Sequence, residues 1–369
     1  MQLTIEASKL SNTLQRVQAC VAKRTSIDMY KRILCEANDD GLIITATDLE
    51  SWMQVRTPAS VLGDGKTVLP HKELKAIADK SEGELSFNIS QGSTMIEVSG
   101  EGSQYNLALM EPDGFAPIQE REVDEWLHTT AWELIRALRL TLFSVSEEEG
   151  KFAMRGILFE AANSTLSLAS TDSKRLSVAE AKLSEPRTSE KVWNALIGKN
   201  CCNLLLQNLL RIPYGTPVKI GLNYNNCYFK TEDSVLMIRL SEGRFPPFRD
   251  VIPKLNKMQT IKLNREGFLV SLERLKMMLD DECRRVKLNI NGTSITMNIT
   301  HTKVGEGQVI HLLDQPASVP VVLNFDPEFL LELLANNELN DEVAFHYLNS
   351  NKSVLFTSDR YTHLIVPLT

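Results

Sequence analysis

The sequence has no apolar run approaching the roughly 18 residues that a membrane-crossing helix requires. Its opening, MQLTIEASKL, has neither the basic stretch nor the apolar core of a secretory leader. A soluble, cytoplasmic protein with no membrane partner is expected. Cysteine is sparse: Cys20, Cys35, Cys201, Cys202, Cys227 and Cys283 include no CxxC pair and no histidine at ligand spacing. Neither a zinc site nor a secreted disulfide framework follows from such a set, which reads as buried or idle thiols. The histidines His71, His128, His301, His311, His346 and His363 are scattered, none lies in an HExxH, and there is no GxSxG. A Ser–His or Cys–His pair assembled in space is the one route left to an enzyme.

Two further patterns are decoys. GDGKT at 63–67 has Ser60 where a phosphate loop needs its first glycine, and the following VLP reads as strand where a helix N-terminus would have to hold the phosphates. A hairpin turn is the expectation there. The runs Glu147-Glu148-Glu149 and Asp280-Asp281-Glu282 lack the alternating spacing and glycine of a hard-cation loop and read as solvated loop ends. No metal and no cofactor are expected.

What the chain does have is an internal repeat. Its 369 residues are 43% hydrophobic and 24% charged, a folded composition long enough for two or three domains. Three segments, starting at Val68, Asn194 and Val322, each run from an apolar stretch through a breaker into a short amphipathic helix, then into alternating strand residues. The helix starts at Pro70, Gly198 and Asp326 are spaced 128 residues apart. A second helix precedes each: Leu10, Leu14, Val17 and Val21 form one stripe, Leu134, Ile135, Leu138 and Leu142 follow Thr129-Thr130, and Phe268, Leu272, Leu275 and Leu279 follow Asn264. LIITATD, ILFEAANSTLSLASTD and VKLNINGTSITMNITH read as strands, with Asn291-Gly292 suited to a hairpin turn. These signals predict an α+β chain of three repeated domains, 1–121, 122–249 and 250–369, each with two helices packed on antiparallel sheets.

The formal charge is −7, which alone argues against nucleic acid. Its distribution does not. The helical segments 8–24, 70–80, 130–144, 197–211 and 264–279 are all net basic, while 326–338 carries −4. Lys9, Arg16 and Lys23 are seven apart, so on a continuous helix they drift only about 20° per step and form one basic stripe.

Several short motifs complete the reading: Thr47-Asp48-Leu49-Glu50, Gly156 to Glu160 (GILFE), Thr171 to Leu176 (TDSKRL), Glu242 to Pro246 with Val251-Ile252-Pro253, and the closing Val366-Pro367-Leu368. In order and over the whole length they resemble the bacterial DNA sliding clamp, the beta subunit of DNA polymerase III. The resemblance implies a head-to-tail homodimer closed into a ring around double-stranded DNA. It also implies phosphate contacts without base readout, and tethering of the polymerase in place of catalysis. It places Lys9, Arg16, Lys23, Arg24, Lys72, Arg136, Arg139 and Lys199 toward DNA. A groove for short linear motifs of the DNA polymerase III catalytic subunit, the clamp loader and repair proteins falls at Met154, Thr171, Lys174, Arg175, Leu176, Pro246, Val251, Ser353, Val366 and Leu368. The dimer seam falls at Tyr105 and Leu107 against Met277 and Met278. Lys174 stands where the family usually has histidine, Asp250 where a basic residue is common, and the tail ends in PLT. The alternatives are a diverged clamp paralogue with altered partners and a non-encircling DNA-binding module.

Overall fold

The computed structural model describes residues 1–90, 92–118, 122–148, 150, 154–280, 284–300 and 303–368. Arg121 at the first expected boundary, Glu149, Asp281, Glu282, Cys283 and His301 lie outside the described residues. Among the described residues six α-helices rest on antiparallel sheets: α1 (Ala7–Val17), α2 (His71–Lys80), α3 (Ala131–Thr141), α4 (Lys199–Leu209), α5 (Arg265–Lys276) and α6 (Pro327–Leu334). The repeat is visible in their starts, since α2, α4 and α6 each begin one residue after the predicted breakers Pro70, Gly198 and Asp326. Capping follows the sequence where side chains allow it. The Asn264 side chain accepts from Gly267 N–H ahead of α5, and the Asp326 side chain accepts from Glu328 N–H ahead of α6.

The chain divides into two compact units, 1–132 with 203–240, and 133–202 with 241–369. In the first, a five-stranded sheet runs in the order Ser60–Gly63, Gln2–Glu6, Glu84–Asn88, Met95–Gly100, Ser103–Ala108. Beside it in the same unit is an eight-stranded sheet in the order Trp126–Thr130, Pro217–Leu222, Asn226–Lys230, Ser234–Arg239, Ser51–Thr57, Gly41–Thr47, Arg32–Asn38, Gly65–Pro70. In the second unit an eight-stranded sheet runs Trp193–Gly198, Gly156–Ala162, Thr165–Thr171, Arg175–Lys182, Tyr361–Ile365, Val354–Ser358, Glu342–Tyr347, Gln259–Asn264. Its companion is a long ribbon of Val286–Ile299 and Gly307–Phe325. Each eight-stranded sheet therefore joins strands from two sequence thirds, through Ser51–Thr57 against Ser234–Arg239 and through Arg175–Lys182 against Tyr361–Ile365.

Three local expectations need correction. GDGKT is strand on both sides of Asp64, but Ser60–Gly63 and Gly65–Pro70 belong to different sheets, so it is a crossing between sheets and not a hairpin. Asn291-Gly292 lies inside one long strand, where Gly292 (φ +55°) sits in a register shift. Glycine's freedom there serves a bulge instead of a turn. α1 stops at Val17 and tightens into a 3-10 turn over Gln18–Cys20. The buried Cys20 receives a hydrogen bond from the Ser51 hydroxyl at 3.5 Å, and Val21 N–H bonds back to Gln18 O at 3.2 Å. Lys23 thus leaves the helix, and the stripe through Lys9 and Arg16 does not reach it.

Two turns read as motifs have one construction. Thr47 Oγ1 donates to Ser51 O and accepts from Leu49 N–H, while Asp48 Oδ1 accepts from Glu50 and Ser51 N–H. Thr171 and Asp172 repeat these bonds to Ser173, Lys174 and Arg175. Leu49 and Ser173 both adopt positive φ, 71° and 80°. The Thr-Asp pair is what closes such a turn, because both side chains can replace backbone partners.

Strand pairing also places Ser177 opposite His363. Ser177 Oγ lies 2.9 Å from His363 Nδ1, the Tyr361 hydroxyl is 3.1 Å from both, and the Ser144 hydroxyl is 2.7 Å from Ser177 Oγ. The cluster is closed to solvent, with His363, Ser144 and Ser177 at 0% exposure. Burial, with the Arg175 charge adding to it, pushes the His363 imidazole down to about 3. Its unfolded value is near 6.5, so the unfolded chain binds more protons between those two pH values. Stability from this site is therefore full above pH ~6.5 and falls as pH drops toward ~3, by at most about 1.4 kcal/mol per pH unit. Urea unfolding followed from pH 7.5 to pH 4 in the wild type and in His363→Gln measures it. A slope unchanged by the substitution would contradict the assignment.

Candidate functional site

The cations expected to meet DNA fall into two groups. Lys23, Arg24 and Lys72 are exposed and form no ion pair among the described residues. Lys9 is exposed beside Glu6 at 3.2 Å, and Lys199 opens α4 beside Glu147 at 2.8 Å. Arg16 and Arg136 differ from the expectation of an open basic face, being 7% and 5% exposed. Arg16 grips both oxygens of Asp233, at 2.6 and 3.1 Å, and the Ser234 hydroxyl at 2.7 Å. Burial pushes the Asp233 carboxyl up, but the hydrogen bonds from Arg16 and Thr231 outweigh it and hold the group below its ordinary value. Arg136 stands 3.4 Å from Asp359, next to a bidentate pair between Arg360 and Glu133. A guanidinium taken this far from water needs such a partner, because its desolvation is otherwise uncompensated. Arg139, more open, pairs with Glu338 at 2.5 Å.

The −4 of segment 326–338 is explained by the same accounting. Asp326 caps α6, Glu328 lies 3.5 Å from Lys276, Glu332 pairs with Arg175, and Glu338 pairs with Arg139. These carboxylates neutralise neighbours within the unit, so the segment is not an acidic face turned outward.

The expected peptide groove also divides. Arg175, 8% exposed, is a hub: Nε donates to Asp172 at 2.9 Å, Nη2 to Phe143 O at 2.7 Å, Nη1 to Glu332, and its plane lies 4.6 Å from the Phe329 ring centroid. Leu176 is core, packed with Ala169, Leu355 and Leu364 against Phe245 and Phe248. Thr171 is buried in its turn. What remains accessible is Lys174, Val251 at 59% and Val366 at 44%, with Met154, Pro246, Ser353 and Leu368 half-buried. Val366 N–H bonds Lys174 O at 2.9 Å, and Val354, after Ser353, pairs with Ile365. The strand ends around 174, 353 and 366 thus share one end of the sheet. Pro246 and Val251 lie on the segment whose Phe245, Phe248 and Ile252 pack against Leu176 and Leu364. Met154 is tied to a neighbouring loop, its carbonyl accepting from Ser146 N–H at 3.0 Å.

A polar cavity of about 560 Å³ that no motif announces lies beside this end of the sheet, lined by Lys174, Arg175, Asp172, Glu147, Lys199 and Phe329 among others. Its walls come from segments far apart in the chain, so no local spacing announces it. Phe245 and Phe248 meet edge-on with ring centroids 6.1 Å apart; the first lies in the Glu242–Pro246 motif and the second just beyond it.

Tyr105 (41% exposed) and Leu107 lie on Ser103–Ala108, an edge strand of the five-stranded sheet. Their register partners Val98 and Ile96 are fully buried. Paired residues share a face of the sheet, so the apolar face continues past its last covered strand. Met277, at 75% exposure, and the half-buried Met278 follow α5. The Ser177–His363 pair has the contact a nucleophile would need, but it is sealed inside the core and opens onto no cleft.

The chain is similar over its whole length to the beta sliding clamp of Vibrio cholerae, at 25% identity with 100% of each chain covered. The beta sliding clamp of Chlamydia pneumoniae is 24% identical, covering 92% of this chain and 90% of its own length. Among solved structures, a sliding clamp from Bacillus subtilis superposes with a TM-score of 0.91 at 22% identity, over 100% of this chain and 99% of that one. One from Pseudomonas aeruginosa bound to griselimycin gives 0.92 at 19%, over 100% and 99%. With the family's N-terminal domain matched by residues 1–118 and its central domain by 130–247, more than half of the sequence, the chain belongs to the family of the DNA polymerase III beta subunit.

Proposed function

We propose that the protein is a sliding clamp, a non-catalytic homodimeric ring that encircles duplex DNA without sequence preference and tethers the replicative polymerase and other DNA-processing proteins. The observation that carries this reading is the family match through two successive domains, joined by full-length relatives that bear the clamp name. Its subunit has three domains, 1–121, 122–249 and 250–369, and it works in the cytoplasm. Sliding requires contacts that every sequence offers equally, which lysine and arginine to phosphate provide. Lys9, Lys23, Arg24, Lys72, Arg139 and Lys199 are the cations for that role, while Arg16 and Arg136 hold the framework under them.

The dimer forms head to tail. The open edge at Ser103–Ala108, with Tyr105 and Leu107 on the face that buries its neighbours, meets the region of Met277 and Met278 in a second copy. An unpaired apolar edge is a liability in a monomer and a natural interface in a pair. The groove at Lys174, Val251 and Val366 takes short linear motifs with apolar ends, including those of the polymerase, the clamp loader and repair proteins. Lys174, in place of the usual histidine, adds a permanent positive charge at its rim and favours an acidic residue in the bound peptide.

Light scattering at micromolar concentration is expected to give twice the 41.5 kDa chain mass. Tyr105→Asp with Leu107→Asp is expected to give folded monomers, and a monomeric wild type would rule out the ring. Loaded on a nicked circular plasmid, the protein is expected to fall off when the DNA is linearised; retention would favour a non-encircling DNA-binding module. Arg24→Ala with Lys72→Ala should weaken association alike on all sequences and lower the salt dependence by about 0.9 per lost phosphate contact. For the groove, a polymerase-type tail peptide should bind the wild type at least tenfold more tightly than Val366→Asp. No binding to the wild type would point to a paralogue with altered partners.

A further inference from the structure

We infer that the unit of residues 1–132 and 203–240 carries a binding site for a single phosphate group, in a cavity between the last turns of α1 and α4. The inference stands on the cavity itself and not on the clamp reading. The space is about 160 Å³, room for roughly five waters or one tetrahedral anion with its hydration. Its walls include the cations Arg16, Lys23 and Arg211 and the amides Gln15, Gln207 and Asn208, with no carboxylate among its lining residues.

Two buried polar atoms on this wall have no partner: the Arg16 Nε donor and the Asn208 Oδ1 acceptor. Both residues are 7% exposed. Neither atom can be satisfied by a simple rotation. The Arg16 terminal nitrogens are held by Asp233 and Ser234, and Asn208 Nδ2 donates to Leu204 O at 3.1 Å. Native proteins rarely leave such atoms orphaned, and each one calls for a ligand, an ion or an ordered water. The helix-end carbonyls do not compete strongly for the cations. Gln18 O accepts from Val21 N–H, Asn208 O from Arg211 N–H, and Leu209 O from Ile212 N–H.

A phosphate group matches this set. Its oxygens accept from Arg16 Nε–H, the Lys23 ammonium, the Arg211 guanidinium and the glutamine amides. A P–OH of hydrogen phosphate, or a water held by the anion, donates to Asn208 Oδ1. Water alone would satisfy the two orphan atoms; a phosphate would in addition bring negative charge to the exposed Lys23 and Arg211 on a wall that has no acid. The nearest carboxylate in the network, Asp233, is already engaged by Arg16 and Thr231. The phosphate has two possible sources, free phosphate (or a phosphomonoester) and the backbone of bound DNA. Only the second rests on the clamp reading.

Isothermal titration of the full chain with sodium phosphate, with chloride balancing ionic strength, tests the site. Saturable binding at one phosphate per chain is expected. Asn208→Asp, which places a carboxylate on the cavity wall, and Arg211→Gln should each weaken it tenfold or more. Lys23→Gln, on an exposed turn, serves as the third variant if either of these fails to fold. Repeating the titration with the protein loaded on nicked circular duplex separates the sources. Loss of phosphate binding assigns the site to the DNA backbone, and unchanged binding assigns it to free phosphate or a monoester; either outcome supports the site. Heat no different from the chloride control, or equal binding by all folded variants, would overturn it and leave a water-filled cavity. Phosphate binding that persists in a protein unable to stay on circular DNA would keep the site and remove the clamp reading.

Discussion

The antiparallel pairing of Arg175–Lys182 with Tyr361–Ile365 is the constraint on which most of the second unit depends. Because side chains alternate with period two, this register decides at once which residues are core and which are rim. Ser177 meets His363 inside, Leu176 meets Leu364 in the apolar cluster, and the strand ends leave Lys174 and Val366 at one end of the sheet. A slip of one residue would turn the whole set over. The pairing of Ser51–Thr57 with Ser234–Arg239 does the same work in the first unit, with Arg16 clamped on Asp233 beside it.

Charge in this protein is organised by burial more than by count. Arg16, Arg136 and Arg175 are guanidiniums with little access to water, and each is matched by a carboxylate from a distant part of the chain. Arginine suits that place because it cannot shed its proton and its planar fork takes two or three partners at once. The net −7 therefore mixes two populations, internal pairs that cancel and exposed ions that define the surface.

The sequence was most informative where structure is local. Helix starts after Pro70, Gly198 and Asp326 were legible because breakers and caps act within one turn, whereas the Thr-Asp turns stood out only as motifs and their hydrogen bonds came from the structure. It was least informative where partners come from afar. Nothing near Arg16 announces Asp233, and nothing near Arg175 announces Glu332, so Arg16 of the expected basic stripe and Arg175 of the expected groove turned out to be framework. The heptad spacing through Lys23 misled because it presumed a helix that ends at Val17. Of the groove, the rim residues could be placed by resemblance, whereas the division between accessible Val251 and Val366 and buried Arg175 and Leu176 required the sheet register.

The open strand Ser103–Ala108 also has a consequence in time. It is complete when 108 of 369 residues have been made. At about 5–20 residues per second, the remaining synthesis lasts roughly 13–50 s, throughout which the nascent edge has nothing to pair with. Gln104 and Asn106, the polar residues that alternate with Tyr105 and Leu107, leave only one of its faces apolar during that wait. Until the rest of the chain is made, the five-stranded sheet ends in a strand with one apolar and one polar face.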